Sequence, residues 1–330
     1  MTTMSSRAIP LNTEGKVNMM AARVHAFGPP SAISIEDVDR PEPDASQVLV
    51  RVCAAGVGPW DSWVRAGKSV LPQPLPLTLG ADISGIVVAV GDGVHRFHVD
   101  QPVYGVTNAR FTGAYAEYAT ASATMLASKP RMMTDVEAAS VPVVAVTALQ
   151  MLFDHADVRA GERVLVHSAG GSVGAFAVQL ALGRGAHVTG TDVKQGVDFA
   201  LGLGLSHAID VQTTRFEDAT EPVDVVIDTV GGQVLKRSFA VLKRGGRLVS
   251  SVAKPSPELA QKYGVAATFV LVDVTTAALD KLSALIDEGK LKTRIGAVLP
   301  LSDARTAHEM LDGLIPRPPG KLVLAVARQK

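Results

Sequence analysis

The first half of the chain shows short alternating runs of apolar and polar residues, which are typical of β-strands. Residues 47–53, with the sequence QVLVRVC, alternate with the period of a half-buried strand. Residues 82–94 combine β-branched runs with a Gly-Asp-Gly turn signal. The segment 71–76 contains three prolines, which exclude a helix or a central strand there. Several short strands at close spacing predict a small barrel or folded sheet.

A different pattern begins at Gly161, where short apolar runs alternate with helical stretches. Helices are predicted at 174–182 and 233–242, and the second is expected to stop at the glycine pair 245–246. Strands separated by crossovers predict an α/β fold with a doubly wound parallel sheet. Six strands are predicted, at residues 163–167, 186–191, 207–211, 223–229, 247–252 and 268–272.

A further strand-like run, residues 320–326, lies beyond the sixth strand of this sheet. We interpret it as returning to the first domain, so that the middle domain is an insertion. The predicted organisation is a β-rich domain made of 20–142 and 286–330, with an α/β domain at 143–285. Residues 1–19 are polar and carry no periodicity, so a flexible tail is predicted there; a weak targeting arm or a cloning remnant are the alternatives.

The composition of the chain argues against several classes of protein. Lys plus Arg and Asp plus Glu both total 32, so the net charge is zero, which argues against a nucleic-acid partner. The only cysteine, Cys53, excludes an internal disulfide and a zinc site held by several thiolates. No run approaches the ~18–20 apolar residues of a membrane span, and the N-terminus lacks a signal core. We therefore expect a cytoplasmic protein with no membrane partner.

One motif carries chemistry. The first predicted α/β strand is followed by Ser168, two further small residues, Gly171, Ser172, Val173 and Gly174, and then by a helix. Small residues at these positions allow a tight turn, a close approach of the backbone to a pyrophosphate, and close packing of the helix on the sheet. The phosphates would lie at the positive end of the helix dipole. We interpret the motif as a dinucleotide site; glycines needed only for packing are the alternative.

The end of the second strand bears on the choice of cofactor. Thr191, Asp192 and Lys194 stand there, and Asp192 follows Gly174 by eighteen residues. A carboxylate at this position can accept hydrogen bonds from the adenosine ribose and repels a 2′-phosphate, which favours NADH. Lys194 could pair with that phosphate, so NADPH stays open. A solvated Asp and Lys in a loop are the alternative to both.

Several separate segments resemble the zinc-independent quinone oxidoreductases of the medium-chain dehydrogenase/reductase superfamily. They are residues 79–91, 164–181, 224–232, 242–249 and 320–324. The resemblance implies a Rossmann domain inserted in a GroES-like catalytic domain. It also implies hydride transfer, most often from NADPH, to a small-molecule quinone or α,β-unsaturated carbonyl, and a homodimer.

Cofactor contacts are carried over residue by residue from the same resemblance. They comprise phosphate contacts on the glycine motif, adenosine contacts after the second strand, side chains lining the nicotinamide half, and one basic residue near the C-terminus. The implied cofactor-binding residues are Thr147, Ser168, Gly171, Ser172, Val173, Gly174, Thr191, Asp192, Lys194, Val230, Ser250, Ser251, Phe269, Leu271 and Lys321.

The chain departs from its zinc-dependent relatives at the metal ligands. Those relatives place a cysteine where this chain has Gly58, and Gly-His-Glu where it has Gly80-Ala81-Asp82. The position of their third ligand falls near Val143. With the thiolates and the imidazole missing, no metal site is expected.

The chain also departs from its zinc-free relatives, which carry Asn-Pro-x-Asp followed by a tyrosine. Here the asparagine is Gly58 and the aromatic residue is Trp63. An indole cannot act as an acid near neutral pH, so no catalytic proton donor is identified. Trp60, Asp61 and Trp63 are predicted to line the substrate pocket, with packing of the two indoles in the core as the alternative.

These observations predict an enzyme, an NAD(P)H-dependent and zinc-independent reductase of quinones or enones. The missing tyrosine and asparagine keep an alternative open, a non-catalytic NAD(P)H-binding sensor or an RNA-binding crystallin-like protein. Turnover would separate the two, and zero net charge weighs against RNA.

Overall fold

The alternating segments of the N-terminal part form β-sheet, as their pattern predicts. The computed structural model describes residues 18–326. These residues form two units: residues 18–129, Val298–Arg317 and 322–326 make the first, and Pro130–Ala297 with Pro318–Lys321 make the second. The inserted domain predicted from the sequence, residues 143–285, lies within the longer segment of this second unit. The predicted tail at 1–19 lies outside the described residues except for Asn18 and Met19, which belong to the first strand.

The N-terminal part of the first unit is almost entirely β-structure. Its elements are β1 (Asn18–Val24), β2 (Ile33–Asp39), β3 (Gln47–Val57), α1 (Pro59–Arg65), β4 (Leu77–Thr78), β5 (Asp82–Val90), β6 (Pro102–Val106), β7 (Tyr118–Ser122) and β8 (Leu126–Ser128). Strand β1 pairs antiparallel with β2 and β4, and forms a separate three-stranded sheet with them.

The second unit alternates strands and helices. Its elements are α2 (Asp135–Ala139), α3 (Pro142–Leu149), a π-helical turn (Gln150–His155), β9 (Arg163–His167), α4 (Ser172–Gly183), β10 (His187–Asp192), α5 (Lys194–Gly202), β11 (His207–Asp210), α6 (Phe216–Ala219), β12 (Val223–Asp228), α7 (Gly232–Ser238), β13 (Leu242–Ser250), α8 (Pro257–Tyr263), β14 (Ala266–Phe269) and α9 (Thr276–Asp287). No helix in the described part of the chain is long and apolar enough to cross a bilayer.

The C-terminal elements complete the sheet of the first unit. They are β15 (Ile295–Pro300), α10 (Ala304–Leu311) and β16 (Lys321–Ala325). Strand β16 pairs antiparallel with β3, with Leu322 opposite Val57. The sheet order is β15-β16-β3-β5-β6-β8, and β7 pairs with β3. The last strand therefore joins the β-rich part of the chain, as the sequence predicts.

The sheet of the second unit is parallel throughout, in the order β11-β10-β9-β12-β13-β14. The chain moves outward in one direction from β9 to β11, then returns to the other side of β9 with β12. This reversal is the switch point at which doubly wound folds bind ligands, beyond the carboxyl ends of the strands. Buried apolar side chains such as Leu165, Val226, Phe239 and Leu248 form a core cluster in this unit. The predicted Rossmann sheet is thus confirmed.

Candidate cofactor and substrate sites

The turn between β9 and α4 is shaped by its glycines. Ser168 directly follows β9 and takes the left-handed conformation, with φ of 52°. The N–H of Gly171 donates to the carbonyl of Ser168 over 2.9 Å, which closes the turn. A Cβ on Gly174 would run into that same carbonyl oxygen, and one on Gly170 would meet the backbone of Gly196. The turn, α4 and α5 can approach this closely only because these positions lack side chains.

The amino end of α4 offers donors to an anion. Its N-cap is Gly171, which has no side chain to accept from the first-turn amides. The amides of Ser172 and Val173 therefore point, with the positive end of the helix dipole, to the place where the sequence predicts the phosphates. Both residues are half-buried, so an anion can reach their backbone.

Asp192 lies beside the glycine turn. The N–H of Gly170 donates to its Oδ2 over 2.8 Å, and the N–H of Val193 donates to its Oδ1 over 2.8 Å. These two bonds fix the carboxylate at the carboxyl end of β10. Lys194 forms an exposed ion pair with Asp198, one turn further along α5. The structure thus brings Asp192 to the glycine motif and places the ammonium of Lys194 in a surface pair.

Four further predicted residues follow the carboxyl ends of the neighbouring strands. Val230 comes after β12 and is exposed, and Leu271, beyond β14, is also exposed. Ser251 and Phe269, at the ends of β13 and β14, are half-buried. All four lie at strand ends of the parallel sheet, where its ligand edge is expected. Their contacts with the cofactor stay predictions.

Three predicted hydroxyl groups are already used within the protein. Ser250 has no exposed surface, and its hydroxyl donates to Asp228 over 2.7 Å. The Thr147 hydroxyl donates to the carbonyl of Val143 in its own helix, over 2.7 Å. Thr191 is buried and its hydroxyl pairs with a histidine. Each of these hydroxyls therefore already has a partner within the protein, and a contact of Thr147, Thr191 or Ser250 with the cofactor stays a prediction.

That histidine, His167, ends β9 inside the second unit. Its Nδ1 lies 2.8 Å from the hydroxyl of Thr191, and its Nε2 lies 2.9 Å from the hydroxyl of Ser238. Burial lowers the pKa of His167 to about 4, so the imidazole is neutral at physiological pH. It ties β9, β10 and α7 together and has no exposed surface from which to act on a substrate.

Three basic residues lie beside the glycine turn: Lys292, Arg294 and Lys321. The family resemblance predicts only Lys321 as a cofactor contact. Together with the turn and α4 the three residues line a narrow pocket in the second unit, formed by Ser140, Val144, Gly170, Gly171, Ser172, Ala175, Phe176, Lys292, Thr293, Arg294, Gly320 and Lys321. None of these lining residues is acidic, which suits a negatively charged ligand.

In the first unit, Asp61 holds the start of α1. It is the third residue of that helix and has no exposed surface. Its Oδ2 accepts from the N–H of Gly58 over 2.8 Å and from the hydroxyl of Tyr115 over 2.9 Å. Burial, together with Asp61 and Asp82, raises the pKa of Tyr115 well above its usual value, so the phenol stays a donor. The structure does not support Asp61 in the wall of an open pocket, because its carboxylate serves as a buried helix cap.

The two indoles on α1 have different surroundings. Trp63 is 48% exposed, whereas Trp60 is half-buried. A Cβ on Gly58 would meet the six-membered ring of Trp60. The indole of Trp60 therefore lies over Gly58 and occupies the space that a side chain at this position would take. The resemblance to zinc-free relatives predicts an asparagine there, and in this chain a side chain at that position would require the ring of Trp60 to move.

Arg65, at the end of α1, is buried and fully engaged. Its Nη2 donates to Asp312 over 2.6 Å, its Nη1 lies 2.9 Å from Nδ1 of His308, and its Nε donates to the carbonyl of Gly28. Burial, then the charge of Arg65, lowers the pKa of His308 to about 3. The imidazole thus accepts from Arg65 as a neutral ring. This network anchors α1 and the indoles it carries to α10.

Side chains that could together bind a metal ion do not form a cluster in the described part of the chain. Among residues 18–326, no group of three or more His, Cys, Asp or Glu side chains is placed to hold a metal ion. His95 and His98 are both exposed on a loop.

Comparison with known proteins agrees with this architecture. The model of the alcohol dehydrogenase GroES-like domain matches residues 44–131, and the model named zinc-binding dehydrogenase matches residues 203–324. The quinone oxidoreductase of Rattus norvegicus is 31% identical over 312 residues, which cover 89% of this chain and 94% of that protein. The chloroplastic quinone-oxidoreductase homolog of Spinacia oleracea is 30% identical, over 89% of this chain and 97% of that protein.

Solved structures show the same relationship. The quinone oxidoreductase from Coxiella burnetii has a TM-score of 0.86 and 35% identity, and the match covers 94% of this chain and all of that one. The chain is therefore an oxidoreductase that belongs to the quinone oxidoreductase family of the medium-chain dehydrogenase/reductase superfamily.

Proposed function

We propose that this oxidoreductase transfers hydride from a nicotinamide dinucleotide to a small quinone or α,β-unsaturated carbonyl. The observation that carries the proposal is the joint placement of the glycine turn, the uncapped amino end of α4 and the carboxylate of Asp192. An anion-binding helix end beside a fixed ribose acceptor suits a dinucleotide. The family supplies the reaction class, since its members named above are quinone oxidoreductases.

The residues present fit such a cofactor. The amides of Ser172 and Val173 would bind its pyrophosphate, and Asp192 would accept from the hydroxyls of its adenosine ribose. When bound, the cofactor supplies the hydride. The protein supplies orientation: α4 and β10 hold these groups on regular secondary structure, so their positions are set before any ligand arrives. We propose Trp60 and Trp63 as apolar side chains that contact the acceptor.

We also propose that the reaction needs no zinc. The support is chemical: Gly58, Ala81 and Val143 stand where zinc-dependent relatives place ligands, and none of these side chains can coordinate a metal. A homodimer, as the resemblance implies, stays a prediction.

Initial rates test the proposal. Protein dialysed against a chelator is given NADH or NADPH with 9,10-phenanthrenequinone or a 2-alkenal, and loss of reduced cofactor is followed by absorbance. We expect turnover with at least one acceptor and no increase on adding zinc. Tight cofactor binding with no turnover of either acceptor class would instead support the non-catalytic sensor. A requirement for stoichiometric zinc would contradict the metal-free mechanism.

The choice between cofactors is a separate prediction. We propose NADH, because the carboxylate of Asp192 would face the 2′-phosphate of NADPH, whereas Lys194 pairs with Asp198 on the surface of α5. Asp192→Asn removes the negative charge at nearly constant shape, and its one amide oxygen can still accept from one of the two N–H groups that the carboxylate binds. The ratio of the NADPH dissociation constant to the NADH dissociation constant should then fall by about tenfold, the effect of about 1.4 kcal/mol.

Fluorescence titration of both cofactors measures this ratio. Asp218→Asn is the matched control, because Asp218 is exposed on α6, away from β10; its ratio should stay at the wild-type value. If Asp192→Asn has a wild-type melting temperature and an unchanged ratio of dissociation constants, the carboxylate does not distinguish the ribose of NADH from the phosphorylated ribose of NADPH.

A further inference from the structure

We propose that Arg294 binds the pyrophosphate of the cofactor, as a cation supplied from outside the strand–turn–helix motif that carries the phosphate amides. The inference rests on the proposed function and assigns a role to a residue that the glycine motif does not contain. Arg294 lies just before β15, far along the chain from β9 and α4.

The segment that carries Arg294 is attached to α4. Gln179, in the middle of that helix, donates from its Nε2 to the carbonyl of Lys292 over 2.9 Å. Its Oε1 accepts from the N–H of Lys292 over 2.8 Å. The N–H of Lys321 donates to the carbonyl of Arg294 over 2.8 Å, which fixes the segment from the other side. The backbone around Arg294 is therefore held beside α4 before any ligand binds.

The guanidinium of Arg294 is held by stacking. Its central carbon lies 4.2 Å from the ring centre of Phe199, on the neighbouring helix α5. This distance is typical of a cation–π contact, which restricts the rotation of a long side chain. A preordered guanidinium loses less entropy when it binds an anion than a mobile one does.

One nitrogen of this guanidinium still lacks an acceptor. Nη1 is buried, and it donates no hydrogen bond to any residue between 18 and 326. A buried donor without an acceptor costs free energy, and in the arrangement we propose a phosphate oxygen accepts from this nitrogen. Arg294 also lines the narrow pocket beside the glycine turn, whose volume is about 10 Å³. Since that space fits about one water-sized group, one phosphate oxygen would enter it while the rest of the anion lies above the turn.

The lining of this pocket indicates which phosphate is bound. Arg294 shares it with residues 170–172 and with Lys321, the groups around the amino end of α4. Asp192 and Lys194, beside which a 2′-phosphate would lie, are not among the lining residues. A cation at this position would bind the pyrophosphate, which NADH and NADPH have in common. It should therefore strengthen the binding of both cofactors equally, whereas Asp192 distinguishes between them.

The test is the substitution Arg294→Gln, with dissociation constants measured by fluorescence for NADH and NADPH and by calorimetry for ADP and adenosine. Loss of a charge-assisted bond should raise the constants for NADH, NADPH and ADP by about tenfold each. Adenosine, which has no phosphate, should bind as in the wild type. Phe199→Leu keeps the charge but removes the ring face, and should raise the three constants by about threefold. The melting temperature without ligand reports whether each variant is folded.

Arg131→Gln is the matched control. Arg131 also lies in the second unit, but it is 88% exposed and pairs with Asp287; its affinities should not change. Wild-type affinities in Arg294→Gln, or a loss confined to NADPH, would overturn the inference while leaving the proposed function intact. If the unaltered protein binds neither cofactor, the proposed function fails and the inference fails with it.

Discussion

Replacing Gly174 by alanine is expected to weaken the binding of NADH and NADPH by about 100-fold, because a shift of the binding backbone by about 1 Å has effects of this size. The added Cβ would overlap the carbonyl oxygen of Ser168 and crowd Ala169, both of them backbone atoms that no rotamer change can move. The turn must therefore separate from α4, and its amides move away from the phosphates. The same overlap should lower the free energy of unfolding by about 2 kcal/mol.

The same helix offers the control. Gly183 is the last residue of α4, and nothing lies within 4 Å of a Cβ built on it. Gly183→Ala should bind both cofactors as the wild type does and should gain up to about 1 kcal/mol, because alanine is the better helix former. Fluorescence titration and thermal unfolding check both variants. Unchanged affinities in Gly174→Ala would show that the glycine is not needed for the cofactor site.

The regular parts of the α/β unit could be predicted closely from sequence. Strand β9 has the predicted bounds, Arg163–His167, and β12 ends one residue earlier than predicted, at Asp228. Both are central strands of the sheet, and each contains three consecutive buried apolar residues, 164–166 in β9 and 225–227 in β12. The helix after the glycine motif is longer by two residues at its start and one at its end, since it begins at Ser172 and ends at Gly183.

The prediction failed at the pair Gly245 and Gly246. The predicted helix 233–242 is present as α7, which ends at Ser238, and a 3-10 turn at Phe239–Val241. The glycines do not stop it, because strand β13 begins at Leu242 and runs through both of them to Ser250. The register between β12 and β13 shifts there, since Leu242 pairs with Val223 but the next pairing begins at Arg247. Gly245 has φ of 80°, which permits an irregularity within the strand. A glycine pair has the same sequence appearance in a strand bulge as at a helix end.

In the candidate site, too, residues close to the motif in sequence could be predicted, whereas residues far from it could not. Ser172, Gly174 and Asp192 could be found because the turn and the strand end are close in sequence to the motif. Arg294 could not, because it reaches the site through the bonds of Gln179 and the ring of Phe199, which no local spacing reveals. The cap formed by Asp61 left a usable signal, since an acidic side chain at the third helical position often accepts from the N-cap N–H.

That cap leads to a second large effect: Asp61→Ala should lower the free energy of unfolding of the first unit by about 3 kcal/mol. The substitution leaves the hydroxyl of Tyr115 and the N–H of Gly58 buried without their acceptor. Both tryptophans of the chain, Trp60 and Trp63, lie on α1 beside Asp61. Their fluorescence during urea unfolding therefore reports the unit in which the change is made.

Tyr115→Phe separates the two losses. It removes the hydroxyl that donates to Asp61 but leaves the bond from the N–H of Gly58 to that carboxylate. It should therefore lower the free energy of unfolding by only about 1 kcal/mol. The double variant with Asp61→Ala should cost less than the sum of the single effects, by about 1 kcal/mol, because the unpaired hydroxyl is then absent. Asp37→Ala, at an exposed position of β2, should stay within about 0.5 kcal/mol of the wild type. If Asp61→Ala unfolds at the same urea concentration as Asp37→Ala, the carboxylate does not hold α1, and the positions of Trp60 and Trp63 must depend on Arg65 and α10 instead.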